Sequence, residues 1–144
     1  MLVSLIGKGL SHGTTSLDET DSLEKKASAV SDKDTGNYEI YVLPGTYDIL
    51  LERLGFLASV VTNISVTENS VIDLGSKILI EGDVNRSGII DLDDMIDIVT
   101  MSDSTEGDGS YQPQYDFGQK GFINIDDLVS TVTNSDSLIS IEEY

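Results

Sequence analysis

Oxygen-bearing groups recur at alternate positions in the stretch GDVNRSGIIDLDD, which runs from Gly82 to Asp94. Loops that bind calcium supply oxygen ligands at positions 1, 3, 5, 7, 9 and 12, with a glycine at position 6 where the chain turns sharply. Counted from Asp83, these positions are Asp83, Asn85, Ser87, Ile89 through its carbonyl, Asp91 and Asp94, with Gly88 at position 6. The spacing therefore predicts one divalent-cation site. Hard oxygen ligands without histidine or cysteine favour Ca²⁺.

An acidic helix N-terminus is the alternative interpretation of these charges, because the helix dipole favours aspartate there. It accounts for the acids from Asp91 to Asp94. It leaves the spacing of Asp83, Asn85 and Gly88 unexplained, so we prefer the metal loop.

The loop and the residues after it are repeated 33 positions later. When residues 83–103 are aligned with residues 116–136, nine of the 21 positions are identical. The second loop keeps three ligand side chains, Asp116, Asn124 and Asp127, together with the carbonyl of Phe122 and the glycine at position 6, Gly121. The repeat therefore predicts a second site of the same kind.

Two ligand positions of the second loop are damaged. Gly118 offers no side chain, and Lys120 brings a positive charge where a ligand should stand. We predict a weak or empty second calcium site, in which Lys120 pairs with Asp116 or Asp127 in place of the ion.

Each loop leads into a segment with the 3.6-residue period of a helix. Met95, Ile98 and Leu128 suit a core shared with Ile90 and Ile123. Leu92, Ile96 and Val99, repeated as Ile125, Val129 and Val132, form a further apolar stripe that two helices in some 60 residues cannot bury. Such a stripe usually marks a partner surface. The alternative is that it completes the core, which has the same period.

The residues before Glu81 follow the alternation of β-strands. NYEIYVL (Asn37–Leu43) and TYDILLE (46–52) flank the turn signal Pro44-Gly45, and we predict a hairpin there. Other strand-like runs are LVSLIG (2–7), VVTNISV (Val60–Val66) and SVIDLG (Ser70–Gly75), whereas residues 11–28 are predicted to form a mobile loop. We therefore predict two domains, an all-β sandwich at 1–81 and a small all-α domain at 82–144 with repeats at 83–103 and 116–136.

Charge and composition restrict the partners. The net charge of −18 argues against nucleic acid and anionic membranes, which would repel the chain. Residues 1–81 hold 12 acids and 6 bases, whereas residues 82–144 hold 14 acids and 2 bases, which fits cations bound in the second part. No apolar run is long enough to span a bilayer. Met1 is interpreted as the start of an expressed fragment, since no leader pattern follows it.

Catalysis is not expected. The single histidine, His12, lies in the polar stretch SHGTT, and Glu142-Glu143 are interpreted as solvated terminal acids. GKGL near residue 7 lacks the spacing of a phosphate loop. We predict a protein that is not an enzyme.

The two loop-helix repeats resemble the dockerin domain of cellulosome-type assemblies, and the first repeat matches the dockerin pattern throughout. Residues 29–75 resemble the carboxypeptidase-regulatory-like β-sandwich, and such a sandwich (an X-module) followed directly by a dockerin resembles the type II dockerins of scaffoldins. The resemblance implies a calcium-dependent adaptor that binds a cohesin of a scaffoldin or cell-surface anchoring protein. It also implies that the X-module stabilises the dockerin and is placed to contact the cohesin.

The resemblance also implies which residues contact the partner. They are Leu92, Asp93, Ile96, Val99 and Thr100 in the first repeat and Ile125, Asp126, Val129, Val132 and Thr133 in the second. We expect a single binding mode, a secreted or cell-surface location in an anaerobic bacterium and no insertion into the membrane. A stand-alone calcium-binding protein and a carbohydrate-binding or adhesion module of a surface protein are the alternatives.

Overall fold

The computed structural model describes residues 1–6 and 25–144. These residues form one five-stranded sheet, two α-helices and one 3₁₀ turn at Pro113–Tyr115. The strands are β1 (Leu2–Ile6), β2 (Lys25–Val30), β3 (Gly45–Glu52), β4 (Ser59–Val66) and β5 (Ser140–Glu143), and the helices are α1 (Leu92–Met101) and α2 (Ile125–Thr133). Their order in the sheet is β2-β1-β3-β4-β5. All neighbours are antiparallel except β4 and β5, which run parallel.

The centre of the sheet is apolar on both faces. β3 and β4 place Leu50, Leu51 and Val60 fully inside the protein, which is why their sequences are apolar at consecutive positions as well as at alternate ones. β-Branched and leucine side chains at these positions suit a pleated surface that is covered on both sides. The sheet is therefore the middle layer of the fold.

Two extended segments cover one face of the sheet. Side chains from residues 38–42 and 72–79 pack on a cluster that includes Ile49, Val61 and Ile64. Neither segment pairs as a strand, so the predicted hairpin of Asn37–Leu43 with residues 46–52 is wrong, and so is the predicted strand at Ser70–Gly75. β3 instead pairs with β1 and β4. The prediction of a strand at Val60–Val66 is confirmed by β4, and that of a strand at 2–7 by β1.

The second half of the chain covers the opposite face. Ile90 from the first loop and Ile139, the residue before β5, join Leu50 and Val60 in one cluster. Phe56, from the turn between β3 and β4, enters a third cluster with side chains of the helical half, including Ile98 and Ile123. The apolar interior therefore continues from the sheet into the helices.

The predicted fold class, a β-sandwich followed by a small all-α domain, is wrong. The described residues contain a single sheet, and the second half of the chain contributes its last strand, β5, to that sheet. The hydroxyl group of Ser140 lies 2.8 Å from that of Ser59, and Thr62 donates a hydrogen bond to the carbonyl of Glu142. The division at residues 81 and 82 stays a prediction, and strands from both sides of it share the sheet.

The two predicted helices are confirmed. Asp91 caps α1 and Asn124 caps α2, and in both cases the carboxylate three residues later accepts a hydrogen bond from the cap nitrogen. These reciprocal pairs are capping boxes, which satisfy free backbone donors of the first turn. Among the described residues, neither helix has the length and apolar content to cross a membrane.

Candidate functional site

Asp83, the first residue of the loop before α1, is completely buried. Its two carboxylate oxygens accept hydrogen bonds from the backbone nitrogens of Ser87 (2.9 Å) and Gly88 (3.1 Å). Gly88 has a φ of 86°, a conformation that costs glycine little, and this turn aims both nitrogens back at Asp83. The predicted glycine position is thus explained by the loop geometry.

Asp94 closes the same loop from the first turn of α1. It is also fully buried, and one oxygen accepts from the backbone nitrogens of Val84 and Asn85 while the other accepts from Asp91. Burial raises the pKa of Asp94, against the lowering effect of these hydrogen bonds. Burial, aided by the charge of Asp94, raises the pKa of Asp83 to about 6. Ionising both carboxylates is therefore costly without a nearby cation.

The remaining predicted ligands of the first loop lie between these two carboxylates in sequence. Asn85 accepts a hydrogen bond from the backbone nitrogen of Ser87 through its side-chain oxygen, and Ser87 donates to the carbonyl of Ile89 at 2.9 Å. The side chain of Asp91 accepts from the nitrogen of Asp93 as the helix cap. Each oxygen retains a lone pair for an ion. The loop therefore carries a donor set that suits Ca²⁺.

No group of three or more histidine, cysteine or acidic side chains stands close enough to hold a metal within residues 1–6 and 25–144. Three of the six predicted ligands, Asn85, Ser87 and the carbonyl of Ile89, belong to none of these types. The carboxylates of the loop bond to backbone nitrogens. Calcium at this loop stays a prediction.

The second loop has the same backbone geometry and a different set of partners. Asp116, which is buried, accepts hydrogen bonds from the backbone nitrogens of Lys120 and Gly121, as Asp83 does from its own loop. Asp127 accepts from the nitrogens of Phe117 and Asn124. The repeat in sequence is therefore a repeat in structure. Calcium at this loop, too, stays a prediction.

Tyr111 is a partner of the second loop that the sequence did not reveal. Its hydroxyl donates a 2.8 Å hydrogen bond to Asp116, and this bond raises the pKa of Tyr111 to about 12. Burial raises the pKa of Asp116, but the hydrogen bonds from Lys120, Tyr111 and Gly121 outweigh it and hold that pKa below its ordinary value. Tyr111 lies before the loop and outside the repeat, so no spacing rule pointed to it.

Lys120 does not form the predicted ion pair with Asp116 or Asp127. Its ammonium nitrogen lies 2.9 Å from a carboxylate oxygen of Asp126, at the exposed start of α2. The side-chain hydrogen bond to Asp126 raises the pKa of Lys120. The charge of Lys120 is therefore held at the exposed start of α2.

The predicted apolar stripe lies on the surface. We call these six side chains the helix stripe: Leu92, Ile96 and Val99 on α1 and Ile125, Val129 and Val132 on α2. Each is between 51 and 66% exposed. Ile98, by contrast, is fully buried on the opposite side of α1, and Ile90 and Ile123 are also fully buried. The helix stripe is therefore separate from the core of the helical half, which excludes the alternative that it completes that core.

The polar residues predicted to contact the partner lie beside the stripe. Asp93, Thr100, Asp126 and Thr133 are exposed, and the two threonines donate hydrogen bonds to the carbonyls four residues earlier in their helices. All ten predicted contact residues are thus on the surface. His12, the single histidine, lies outside the described residues.

No protein-family model matches the chain, and no curated protein matches it. Several solved chains are similar to it, among them the following two. Both are crystal structures of a type II cohesin–X-dockerin complex from Acetivibrio cellulolyticus that carry interface mutations, one N-terminal and one C-terminal. The first match has a TM-score of 0.69 and 23% identity, and it covers 95% of this chain and 81% of the matched chain. The second has a TM-score of 0.61 and 20% identity, with coverages of 94% and 81%.

These matches establish a shared fold. They transfer no site and no partner to this chain, because the sequence identities are only 23 and 20%. The described part of this chain is mostly β, with one sheet and two short helices. The described residues contain no separate all-α dockerin domain. The predicted assignment to an X-module followed by a dockerin is therefore wrong, and so is the cohesin partner that was derived from that assignment.

Proposed function

We propose that the chain is a non-catalytic module that assembles with another protein through the helix stripe. The observation that carries the proposal is the exposure of six large apolar side chains on two neighbouring helices. Single exposed apolar residues are common, whereas six large ones on two neighbouring helices are typical of a docking surface. Binding a partner would remove this row from water.

The similar structures support an assembly role. Both are complexes in which a cohesin and an X-dockerin bind each other, and the matched chain spans most of this one. By this likeness we assign the chain to a protein–protein complex at the outside of a cell, of the cellulosome type. Nothing in the proposal requires a catalytic residue.

The first loop supports a second part of the proposal, a structural calcium ion held by the residues from Asp83 to Asp94. Two buried carboxylates, one with a pKa raised to about 6, gain from a cation that shares their charge. The ion would stabilise the start of α1 and hence one half of the helix stripe. Its binding to the folded loop adds free energy of folding by mass action.

A binding experiment with substitutions in the stripe tests the assembly role. Purified type II X-dockerin is immobilised, and the full chain is passed over it with calcium present. We expect binding that Ile96→Asp and Val129→Asp weaken, because a charge at these positions would be buried in the interface without a partner. Val71→Asp is the matched control, since Val71 is 94% exposed and lies outside the helices. Equal binding by all variants, or no binding to the X-dockerin, contradicts the proposed function.

A titration tests the calcium part separately. Isothermal titration calorimetry of the calcium-free protein with Ca²⁺ should show one tight site. Asp83→Asn should remove that site. Asp116→Asn should leave the tight site in place, because the second loop lacks the ligands at Gly118 and Lys120. The absence of a tight site in the unsubstituted chain would contradict a calcium loop at Asp83 while leaving the stripe experiment intact.

A further inference from the structure

We propose that the partner of the helix stripe has an apolar contact surface bordered by lysine or arginine side chains. The inference rests on the proposed function and adds the charge of the partner to it. It follows from which residues lie beside the stripe and from the shortage of basic residues there. The two helices contain five aspartates and no basic residue.

Helix geometry places part of this charge along one border of the stripe. At 100° per residue, Asp93 and Asp97 lie on the ridge next to Leu92, Ile96 and Val99, on the side away from Met95. The buried residues Asp94 and Ile98 lie on the opposite side of α1. The same rule places Asp126 beside the stripe on α2. Three carboxylates therefore border the apolar surface, outside the predicted calcium ligands.

The stability of the helices does not account for all of this charge. Asp93 and Asp126 lie in first turns, where the helix dipole favours an acid. Asp97 lies in the middle of α1, where the dipole gives no such advantage, and it takes part in no ion pair among the described residues. The last turns of α1 and α2 contain no basic residue either, although the dipole favours one there.

Few cations of the helical half can neutralise the border. Residues 82–144 contain two basic residues, Arg86 and Lys120. Arg86 forms an ion pair with Glu52 of β3, and Lys120 pairs with Asp126. Among the described residues, neither Asp93 nor Asp97 takes part in an ion pair, so a partner can supply the cation. Opposite charges at the rim of an interface accelerate association and exclude partners of the wrong charge, which is what an acidic border would do here.

Three amphipathic peptides serve as probes of this inference. Each has about 18 residues, or five helical turns, with the same leucine face. The flanking positions carry lysine in the first peptide, glutamine in the second and glutamate in the third. Fluorescence anisotropy measures their binding to the full chain in calcium buffer. We expect the lysine peptide to bind about tenfold more tightly than the glutamine peptide, and to lose this advantage between about 50 and 300 mM NaCl.

Two triple variants with equal net charge distinguish the effect of the border on peptide binding from the effect of the total charge. Asp93→Asn, Asp97→Asn and Asp126→Asn together remove the border. Asp34→Asn, Glu39→Gln and Glu68→Gln remove three exposed charges outside the helices. The first variant should lose the advantage of the lysine peptide and the second should keep it.

The outcomes distinguish this inference from the proposed function. Equal affinity for the lysine and glutamine peptides, or an equal loss in both triple variants, overturns the acidic border and leaves the stripe as a docking surface. Binding that Ile96→Ser and Val129→Ser leave unchanged, or no binding of any peptide, contradicts the proposed function together with the inference.

Discussion

The backbone nitrogen of Asp136 donates a 2.8 Å hydrogen bond to the carbonyl oxygen of Ile90. The equivalent pair with the two repeats exchanged, Asp103 and Ile123, forms the same bond at 2.9 Å. Each loop is therefore tied to the chain just after the other helix, and both isoleucines are fully buried. The two repeats fold as one unit with an internal two-fold arrangement. A substitution that destabilises either loop should therefore destabilise both helices.

Removal of calcium is expected to destabilise both helices together. If the first loop binds the ion, calcium at 100 times its dissociation constant adds about 2.7 kcal/mol to the free energy of unfolding. Circular dichroism during thermal unfolding, with calcium and with a chelator, measures this difference. An unfolding temperature in chelator equal to that in calcium would show that the ion does not stabilise the fold.

Substitution of Asp83 should have opposite effects with and without calcium. Burial raises the pKa of Asp83 to about 6, above its value of 3.8 in an unfolded chain. Without calcium its contribution to stability is therefore fully present below about pH 4 and is lost as the pH rises through about 6. In chelator at pH 7.5, Asp83→Asn should be more stable than the unsubstituted chain. In calcium it should be less stable.

Urea unfolding at several pH values between 4 and 8, in calcium and in chelator, measures the stability difference between Asp83→Asn and the unsubstituted chain. Asp116→Asn is the matched control in the second loop, because the pKa of Asp116 is held below its ordinary value rather than raised. That control should be less stable than the unsubstituted chain at pH 7.5 even in chelator. Equal pH profiles for Asp83→Asn and the unsubstituted chain would show that Asp83 carries no burial penalty.

Stripe substitutions should leave stability nearly unchanged. Ile96 and Val129 are 52 and 55% exposed, so Ile96→Asp and Val129→Asp add no buried charge to the free chain. Each should weaken partner binding by about 2 kcal/mol, which is about thirtyfold. Ile98→Asp is the contrast, since Ile98 is fully buried and this substitution should unfold the helical half. Unfolding by the stripe variants would contradict an exposed stripe.

The helical half could be predicted because its signals are local. The ligand spacing and the glycine at position 88 concern only residues 83–94 of the chain. The 3.6-residue period then separated Ile98 from the helix stripe. These features depend little on the rest of the chain, so sequence alone was sufficient for them.

The sheet could not be predicted to the same extent, because strand pairing depends on distant residues. Residues 37–43 alternate as a strand does, yet the alternation reflects packing of one side on the sheet and not backbone pairing. β5 is four residues long and reads SIEE, without an apolar pattern. Its place beside β4 is set by contacts between Ser59 and Ser140 across the chain. The return of the chain to the sheet therefore has no signal in the residues of β5 themselves.

The contact between Gly55 and Gln114 gives a last prediction, on how the sheet holds the helical half. Gly55 has a φ of 80°, and a Cβ atom added there would lie 2.0 Å from the carbonyl oxygen of Gln114. Both the backbone conformation and the clash oppose Gly55→Ala, which should cost about 3 kcal/mol. Phe56 and Phe117 stack edge to face beside this contact, with ring centres 5.7 Å apart.

Chemical denaturation of Gly55→Ala measures that cost. Gly75→Ala is the matched control, because Gly75 has a similar φ of 67° and open space around it. The control should therefore lose only the conformational part, about 1 kcal/mol. Because the second loop begins two residues after Gln114, Gly55→Ala should also weaken partner binding at the helix stripe. Equal losses in the two variants would show that the sheet and the second loop are not in close contact at Gly55.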